Sequence, residues 1–310
     1  MGRLVRKIHN NLFGSRCDNK PGIKYFHASD FKNLRTTNFS FKNKNGFTLK
    51  GYYYYYDPID FNTLVIFCHG MGGGHEAYMK EIEFLAHKGF TVLGFDYQGT
   101  ILSEGDKTNG FLQGLSDLDE CLTIIKKKNT FKNVYLVGHS WGAFNAICVL
   151  KYHPEVSKVV ALSGFISLKQ IFSDSIPSPV KFLYRSLKKI EEKDNHKYKD
   201  ISAVEVLSNY KGKALICHSI DDNIVDYYNS FLILKKAFKN NNFNFIECSG
   251  KLHNVTYTID AVTSLNKYLR ELNKIESDEE KNTLANKTNF NKLCDLDFGL
   301  MNEIVNFLKN

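Results

Sequence analysis

One serine of the sequence lies in a setting typical of a nucleophile. Ser140 is the central residue of Gly138-His139-Ser140-Trp141-Gly142, a GxSxG pattern between a run that predicts a strand and a run that predicts a helix. A serine in such a sharp turn stands clear of the backbone, and side chains larger than glycine two positions away would collide with neighbouring backbone. The simpler alternative is that Ser140 only caps the helix. We predict that Ser140 attacks an acyl group.

A serine hydroxyl needs a neighbouring base, and His253 is the candidate best placed in the sequence. It lies in a short connection between the last predicted strand and the last helix of the main body. Loops at the carboxyl ends of parallel strands are where ligand sites of such sheets gather. His69 and His139 lie in turns beside glycine or serine, which favours structural roles. We therefore predict that His253 removes the proton of Ser140.

Two adjacent carboxylates, Asp221 and Asp222, follow another predicted strand and are candidates for orienting the imidazole. Only one is needed for that role. The alternative for either side chain is an Asx turn or a helix cap. The residues by themselves leave the choice between the two open.

The tetrahedral intermediate of acyl transfer needs two hydrogen-bond donors for its oxyanion. The amide that follows the nucleophile, here that of Trp141, usually supplies one, and a loop after an earlier strand supplies the other. The glycine-rich run 69–74 follows a buried strand, and we predict that the Met71 amide is the second donor. This run lacks the spacing of a dinucleotide-binding or Walker motif, which argues against a nucleotide site.

The surrounding pattern alternates strands with helices, which predicts a mostly parallel sheet with helices on both faces. Asn45-Gly46 predicts the turn of an entry hairpin. The predicted strands are 37–42, 47–56, 64–68, 90–95, 134–137, 214–217 and 243–248, and the predicted helices are 78–86, 118–125 with a cap at Ser116 and Asp119, 226–238 and 262–272. Parallel strands of this kind place their carboxyl ends, and hence the candidate residues, at one edge of the sheet.

Three stretches depart from this alternation and define the predicted domain boundaries. Residues 1–36 form an N-terminal extension, 37–274 the α/β domain, and 275–310 a linker followed by an amphipathic helix with an apolar face from Phe298 to Leu308. Within the domain, about 165–208 predict a small helical cap, with a helix that begins at Pro179. Apolar residues of this cap, Phe165, Phe172 and Leu183, are predicted to bind substrate, or else to pack the cap on the core.

Together, His69-Gly70-Met71-Gly72-Gly73, the segment 94–99, the GxSxG motif, Asp222 and His253 resemble the α/β-hydrolase superfamily over about residues 37–272. The resemblance implies the α/β-hydrolase fold, and it favours Asp222 over Asp221 as the triad acid. The chain is similar to the capped group that includes monoacylglycerol lipases, lysophospholipases, cinnamoyl esterases and serine aminopeptidases. This implies an enzyme without metal or organic cofactor that forms an acyl-enzyme on Ser140.

The leading functional hypothesis is hydrolysis of a carboxylic ester, such as a monoacylglycerol, a lysophospholipid or a small aromatic ester. Thioesterase or acyltransferase activity is chemically close. A serine aminopeptidase is the alternative among enzymes, with Asp174, Glu191 or Glu192 of the cap as the acidic pocket for a substrate amine. A ligand-binding protein that keeps the fold without catalysis is the alternative from another class.

Composition bounds the setting of this activity. Seven cysteines without metal-ligand spacing indicate reduced thiols, and no apolar run is long enough for a signal peptide or a membrane span, so we predict a cytoplasmic protein. The net charge of +8 comes from lysines interleaved with acids, which indicates a solvated surface and no nucleic-acid partner. A peripheral membrane contact through the basic N-terminus and the cap helix stays open. The sequence indicates no particular oligomeric state.

Overall fold

A computed structural model of the chain describes residues 2–175, 180–238 and 242–310. Within them, eight strands form one sheet in the order β1-β2-β4-β3-β5-β6-β7-β8. The strands are β1 (Arg35–Lys42), β2 (Thr48–Tyr55), β3 (Thr63–Cys68), β4 (Thr91–Phe95), β5 (Asn133–His139), β6 (Lys158–Leu162), β7 (Lys213–Ser219) and β8 (Phe243–Cys248). β2 pairs antiparallel with β1 and with β4, and the remaining pairs are parallel, as in β3 with β5 and β7 with β8.

Twelve α-helices in the described residues cover the sheet. They are α1 (Gly2–Phe13), α2 (Met79–His87), α3 (Phe111–Lys128), α4 (Trp141–Cys148), α5 (Leu168–Ser175), α6 (Tyr184–Asp194), α7 (Ala203–Asn209), α8 (Phe231–Ala237), α9 (Ile259–Leu272), α10 (Asp278–Asn286), α11 (Phe290–Leu293) and α12 (Phe298–Lys309). None of them is long and apolar enough to cross a membrane. This architecture confirms the predicted α/β class with helices on both faces of the sheet.

The core consists of two layers because the central strands are apolar on both faces. In β3, Leu64 and Ile66 face one layer, and Val65 and Phe67 face the other. The first layer lies under α1 and α3–α8, and the second under α2, α9, α11 and α12. Because successive side chains of a strand point to opposite faces, each central strand supplies apolar side chains to both layers.

The predicted entry hairpin and strands are present, but one further strand and the starts of two helices differ from the predictions. The buried strand β6 was not predicted. The third helix begins at Phe111, where Gly110 with φ 101° sets its start, and Ser116 and Asp119 are buried within it instead of capping it. The helix predicted over 226–238 begins only at Phe231, because 226–230 form turns.

The inserted region is helical, as predicted, and packs closely on the α3 and α4 side of the sheet. It contributes α5, α6 and α7, and Leu187 of α6 is fully buried. The ring of Phe165 stacks on Phe144 of α4 at 4.5 Å between centroids. The predicted helix start at Pro179 lies outside the described residues.

Both ends of the chain pack against the body. The prediction of a linker after residue 274 was wrong over most of its length, because the Ser277 side chain caps α10 and α11 follows it. The predicted C-terminal amphipathic helix is α12, which buries Met301 and Leu308. At the other end, α1 buries Val5 and Phe13, so its apolar face is occupied.

Candidate active site

Ser140 lies at a strained turn between β5 and α4. Its φ of 55° and ψ of −116° are rare for a residue with a side chain, and its carbonyl accepts hydrogen bonds from Ala143 and Phe144 in the first turn of the helix. A Cβ at Gly142 would overlap the carbonyl oxygen of Cys68, and one at Gly138 would overlap that of Gly142. The two glycines of the motif are therefore required by close backbone approach.

His253 lies in the loop between β8 and α9, and its ring contacts the carboxylate of Asp222. The distances from its Nδ1 to Asp222 Oδ2 and Oδ1 are 2.9 and 3.0 Å. A carboxylate accepts here, so Nδ1 carries the proton and Nε2 is left as the basic nitrogen. This is the tautomer that a general base for a serine requires.

Asp222 is itself firmly held. Its carboxylate is fully buried and accepts from the backbone amides of Ile224 and Val225, and it lies 3.1 Å from His218 Nε2. Burial alone would raise the pKa of Asp222, but the hydrogen bonds from His218 and His253 outweigh it and hold this pKa well below its usual range. The side chain therefore stays ionised and can support a positive charge on His253.

Asp221 points elsewhere, although it is adjacent in sequence. It is exposed, accepts from the Ser219 hydroxyl and from the amide of Gly250 at 3.0 Å, and so ties the β7 loop to the β8 loop. The Asx turn that either aspartate could have made is made by Asp222, which accepts from the amide of Ile224 two residues on and also contacts His253.

Ser140 and His253 line the same cavity, which has a volume of about 370 Å³. Among the described residues, no hydrogen bond joins the Ser140 hydroxyl to the imidazole. Catalytic hydrogen bonds are often long before substrate binds and tighten in the reacting complex. Ser140 and His253 thus face one solvent-accessible cavity, and Asp222 lies behind His253.

The two predicted oxyanion donors lie beside this serine. The Trp141 amide is at the N-terminus of α4, where the helix dipole also favours negative charge, and Met71 lines the cavity. Neither amide donates a hydrogen bond within the described part of the chain. The Trp141 ring is fixed by its Nε1, which donates to the Phe111 carbonyl at 2.8 Å. Both amides are thus available to a ligand oxygen.

A partly buried hydrogen-bond chain that the sequence did not predict connects these parts. The Gly70 amide donates to the Tyr78 hydroxyl at 3.1 Å, and this hydroxyl lies 2.9 Å from His139 Nδ1. His139 Nε2 lies 2.8 Å from the carbonyl oxygen of His253 and therefore donates to it. Burial, and then the nearby His253 ring, lowers the pKa of His139 to about 3, so its ring is neutral and Tyr78 donates to Nδ1.

A second histidine–aspartate pair, His75 and Asp96, lies beside the glycine-rich run 69–74 and has a structural role. His75 Nδ1 is 2.7 Å from Asp96 Oδ1, and its Nε2 is 2.9 Å from the Tyr54 hydroxyl. Both side chains are almost completely buried, and each ring nitrogen already has a partner. No reacting group can reach this pair, but it fixes the backbone that follows Gly74, since the His75 amide also donates to Asp96.

The predicted substrate-binding residues of the cap do not line the cavity. Phe165, Phe172 and Leu183 are 2%, 1% and 1% exposed and belong to the core, so the structure favours the packing alternative for all three. Aromatic side chains of a short insertion are buried when the insertion packs on the core. The sequence pattern does not distinguish such side chains from the lining of a ligand pocket.

The acids considered for an amine pocket are also absent from the lining. Glu191 is buried, where it accepts from the amide of Leu112 and pairs with His9 at 3.3 Å. Glu192 pairs with Lys188 at 3.0 Å. Within the described residues, no group of three metal-binding side chains is present either.

Comparison with known proteins identifies the fold. Residues 63–192 match the family described as alpha/beta hydrolase fold. The esterase Pf2001 of Pyrococcus furiosus is 21% identical with a TM-score of 0.60, over 83% of this chain and 99% of that one. Est1E of Butyrivibrio proteoclasticus is 16% identical with a TM-score of 0.56, over 77% and 98%. An esterase domain from Rhodothermus marinus is 16% identical with a TM-score of 0.53, over 76% and 96%.

No curated protein is similar enough in sequence to count as a match. At these identities the solved structures establish the fold of the chain.

Proposed function

We propose, on the premise that the chain has the α/β-hydrolase fold, that it is a serine hydrolase that cleaves carboxylic esters. The observation that carries the proposal is the strained turn at Ser140, which opens on the same cavity as a His253 whose Nδ1 is held by Asp222. A serine that only capped a helix would need neither the positive φ nor a buried histidine–carboxylate pair beside it.

In the proposed reaction, His253 Nε2 takes the proton of the Ser140 hydroxyl as its oxygen attacks the ester carbonyl carbon. The resulting oxyanion accepts hydrogen bonds from the amides of Met71 and Trp141. His253 then gives its proton to the leaving alcohol oxygen, and the acyl group stays on Ser140. A water molecule, deprotonated by His253, attacks the acyl-enzyme, and the acid leaves as His253 returns that proton to the Ser140 oxygen. Asp222 keeps its negative charge throughout and stabilises the imidazolium.

Two observations favour esters over amino-acyl substrates. The carboxylates considered for binding a substrate amine, those of Asp174, Glu191 and Glu192, do not line the cavity, and Glu76, which does, is paired with His27 at 2.9 Å. Pf2001 and the Rhodothermus marinus domain are named as esterases, and another similar structure is titled as Est1E with ferulic acid bound. Monoacylglycerols, lysophospholipids and small aromatic esters are the substrates that we propose within this class.

The test is turnover of p-nitrophenyl acyl esters and of amino-acyl p-nitroanilides by the purified chain. We expect the esters to be hydrolysed and Ser140→Ala to lose this activity. Ser163→Ala is a matched control, because Ser163 also follows a parallel strand with a positive φ of 51° but does not line the cavity. Turnover of the anilides alone would favour the aminopeptidase, and ester turnover that survives in Ser140→Ala would refute the proposed nucleophile.

A further inference from the structure

The cavity at Ser140 is lined in part by the two ends of the chain. Ile23, Tyr25 and Phe26 come from the segment between α1 and β1, and Phe290 and Cys294 come from α11 and the residue after it. All five lie outside residues 63–192, the part that matches the hydrolase family. The terminal extensions therefore contribute to the site as well as to the surface of the body.

The lining that these residues complete is largely apolar. Leu265 and Leu269 of α9 and Ala77 before α2 add to it. The exposed Lys20 and Lys24 also lie at the cavity, and long basic side chains typically lay their methylene stems on apolar surface while the ammonium group stays in water. Such a lining stabilises a bound hydrocarbon group, because binding removes the apolar surfaces of both the group and the cavity from water.

The N-terminal part of this lining is anchored, so it has a defined shape. The Arg16 guanidinium donates to the Gly105 carbonyl at 2.6 Å, at the start of the segment. Further along, the Gly22 amide donates to Asn282 Oδ1 of α10 at 3.0 Å, and the Tyr268 hydroxyl of α9 donates to the Gly22 carbonyl. Ile23 follows directly, and its position is therefore tied to α9 and α10.

The region that the sequence assigned to substrate is filled by protein. Phe165 contacts Phe111 at 5.1 Å between ring centroids, and Phe172 contacts the same ring at 5.7 Å. The Trp141 ring also contacts Phe111, at 6.1 Å between centroids. These rings belong to the core and do not line the cavity, so the cavity beside the chain ends is the described space next to Ser140 for an acyl group.

We infer that the side chains of Ile23, Tyr25, Phe26, Phe290 and Cys294 form the acyl-chain pocket of this hydrolase, and that Ile23 sets the length of the chain that is accepted. The inference rests on the proposed ester hydrolysis at Ser140. The volume of about 370 Å³ lies near the lower end of the roughly 300–1,000 Å³ typical of ligand sites, which favours medium-length acyl groups.

The experiment compares p-nitrophenyl acetate with p-nitrophenyl octanoate. Ile23→Trp fills the pocket and should lower kcat/KM for octanoate at least about tenfold while acetate changes little, since each buried methylene carries a discrimination of this order. Ile23→Ala should shift the preference toward longer chains. Ile124→Trp is the matched control, because Ile124 of α3 is also a half-buried isoleucine but does not line the cavity.

An unchanged octanoate-to-acetate ratio in Ile23→Trp, or an equal drop for both esters, would overturn the inference. A fluorophosphonate labelling rate measured on the same variants separates this outcome from a failure of the proposed function. Labelled protein with an unaltered chain-length preference rejects the pocket alone, whereas wild type that neither labels nor hydrolyses either ester rejects the hydrolase itself.

Discussion

At the residue scale, the two adjacent aspartates show how position decides role. Asp222 is buried against His253 and His218, and Asp221 is exposed and ties together two loops. Adjacent residues of a loop point in different directions. The sequence therefore narrowed the triad acid to Asp221 or Asp222, and only the family resemblance favoured Asp222.

This difference predicts opposite outcomes for two conservative substitutions. Asp222→Asn should lower kcat for ester hydrolysis by about 10³- to 10⁴-fold, because an amide no longer stabilises the tautomer and charge that His253 needs. Asp221→Asn should change kcat only slightly, since the side chain does not touch the histidine. Steady-state kinetics on both variants checks this, and a larger loss in Asp221→Asn would reverse the assignment.

A second residue-scale prediction concerns Tyr78. Tyr78→Phe removes the hydroxyl that joins the Gly70 amide to His139, and it leaves both without that partner. We expect the free energy of unfolding to fall by about 1–3 kcal/mol and kcat to fall as well, because the chain reaches the His253 carbonyl.

Tyr53→Phe is the control for that variant, since the Tyr53 hydroxyl makes no hydrogen bond among the described residues. Denaturant unfolding and kinetics should leave it close to wild type. Equal effects of the two substitutions would argue that Tyr78 matters only for packing.

The residue types of the site were largely predictable, whereas this network was not. GxSxG requires glycines for backbone reasons that act within a few residues, so the pattern can be seen in the sequence. Tyr78 contacts His139 across 61 positions, and no spacing rule relates them. Likewise, Phe165 and Phe172 have the composition of a pocket but lie in the core.

At the element scale, the loop that carries His253 depends on the C-terminal part of the chain. Lys251 donates to the Val255 carbonyl at 3.0 Å and pairs with Asp297, which also caps α12. The Asp297 amide donates to the Thr256 carbonyl at 2.8 Å. The stretch predicted as a linker and helix therefore helps to hold the proposed base in place.

The same loop meets α2 at a buried carboxyl group that should give stability a pH dependence. Glu81 accepts from the Thr256 hydroxyl at 2.8 Å, and burial raises its pKa from 4.5 to about 7. The folded chain thus holds this proton more tightly than the unfolded chain, so its stabilising contribution is full below pH 4.5 and is lost as the pH rises toward 7.

Glu81→Gln removes this titration. Relative to wild type, the variant should gain stability as the pH rises from 4.5 to 7, by up to about 3 kcal/mol. Thermal or urea unfolding of both proteins at several pH values measures the difference. A gap between the two proteins that stays constant with pH would contradict the proposed burial of an ionisable group at this position.

Elements were predicted well where their signals are local, and poorly where packing overrides them. The Asn-Gly turn and the alternating strands around it were correct. The stretch after residue 274 was predicted to be a linker because it is acidic and rich in Asn, yet α10 is capped by Ser277 and contributes Asn282 to a contact with Gly22. That contact joins residues 260 positions apart, so no local sequence pattern predicts it.

At the scale of the whole molecule, the chain ends are part of one packed body. α1 contacts α6 through the buried pair of His9 and Glu191, and α12 covers one face of the sheet. The predicted division into an extension, a domain and a tail follows the limits of the family resemblance, and the contacts cross both boundaries.

Limited proteolysis tests this integration. Despite 41 lysines and arginines in the chain, trypsin should release neither the first 36 residues nor the last 36 before the body unfolds, because their backbone is packed or hydrogen-bonded. Mass spectrometry of a short digestion under native conditions would identify the fragments. Early loss of either end from an otherwise intact body would show that the ends open independently.

The central claim is that the oxygen of Ser140 is an activated nucleophile. Its most direct test is a fluorophosphonate reaction followed by peptide mass spectrometry on the native chain, on heat-unfolded chain and on Ser140→Ala. We expect one phosphonylated residue, Ser140, in the native chain only, and no labelling of the variant. Labelling at another serine, or none in native protein that is correctly folded, would contradict it.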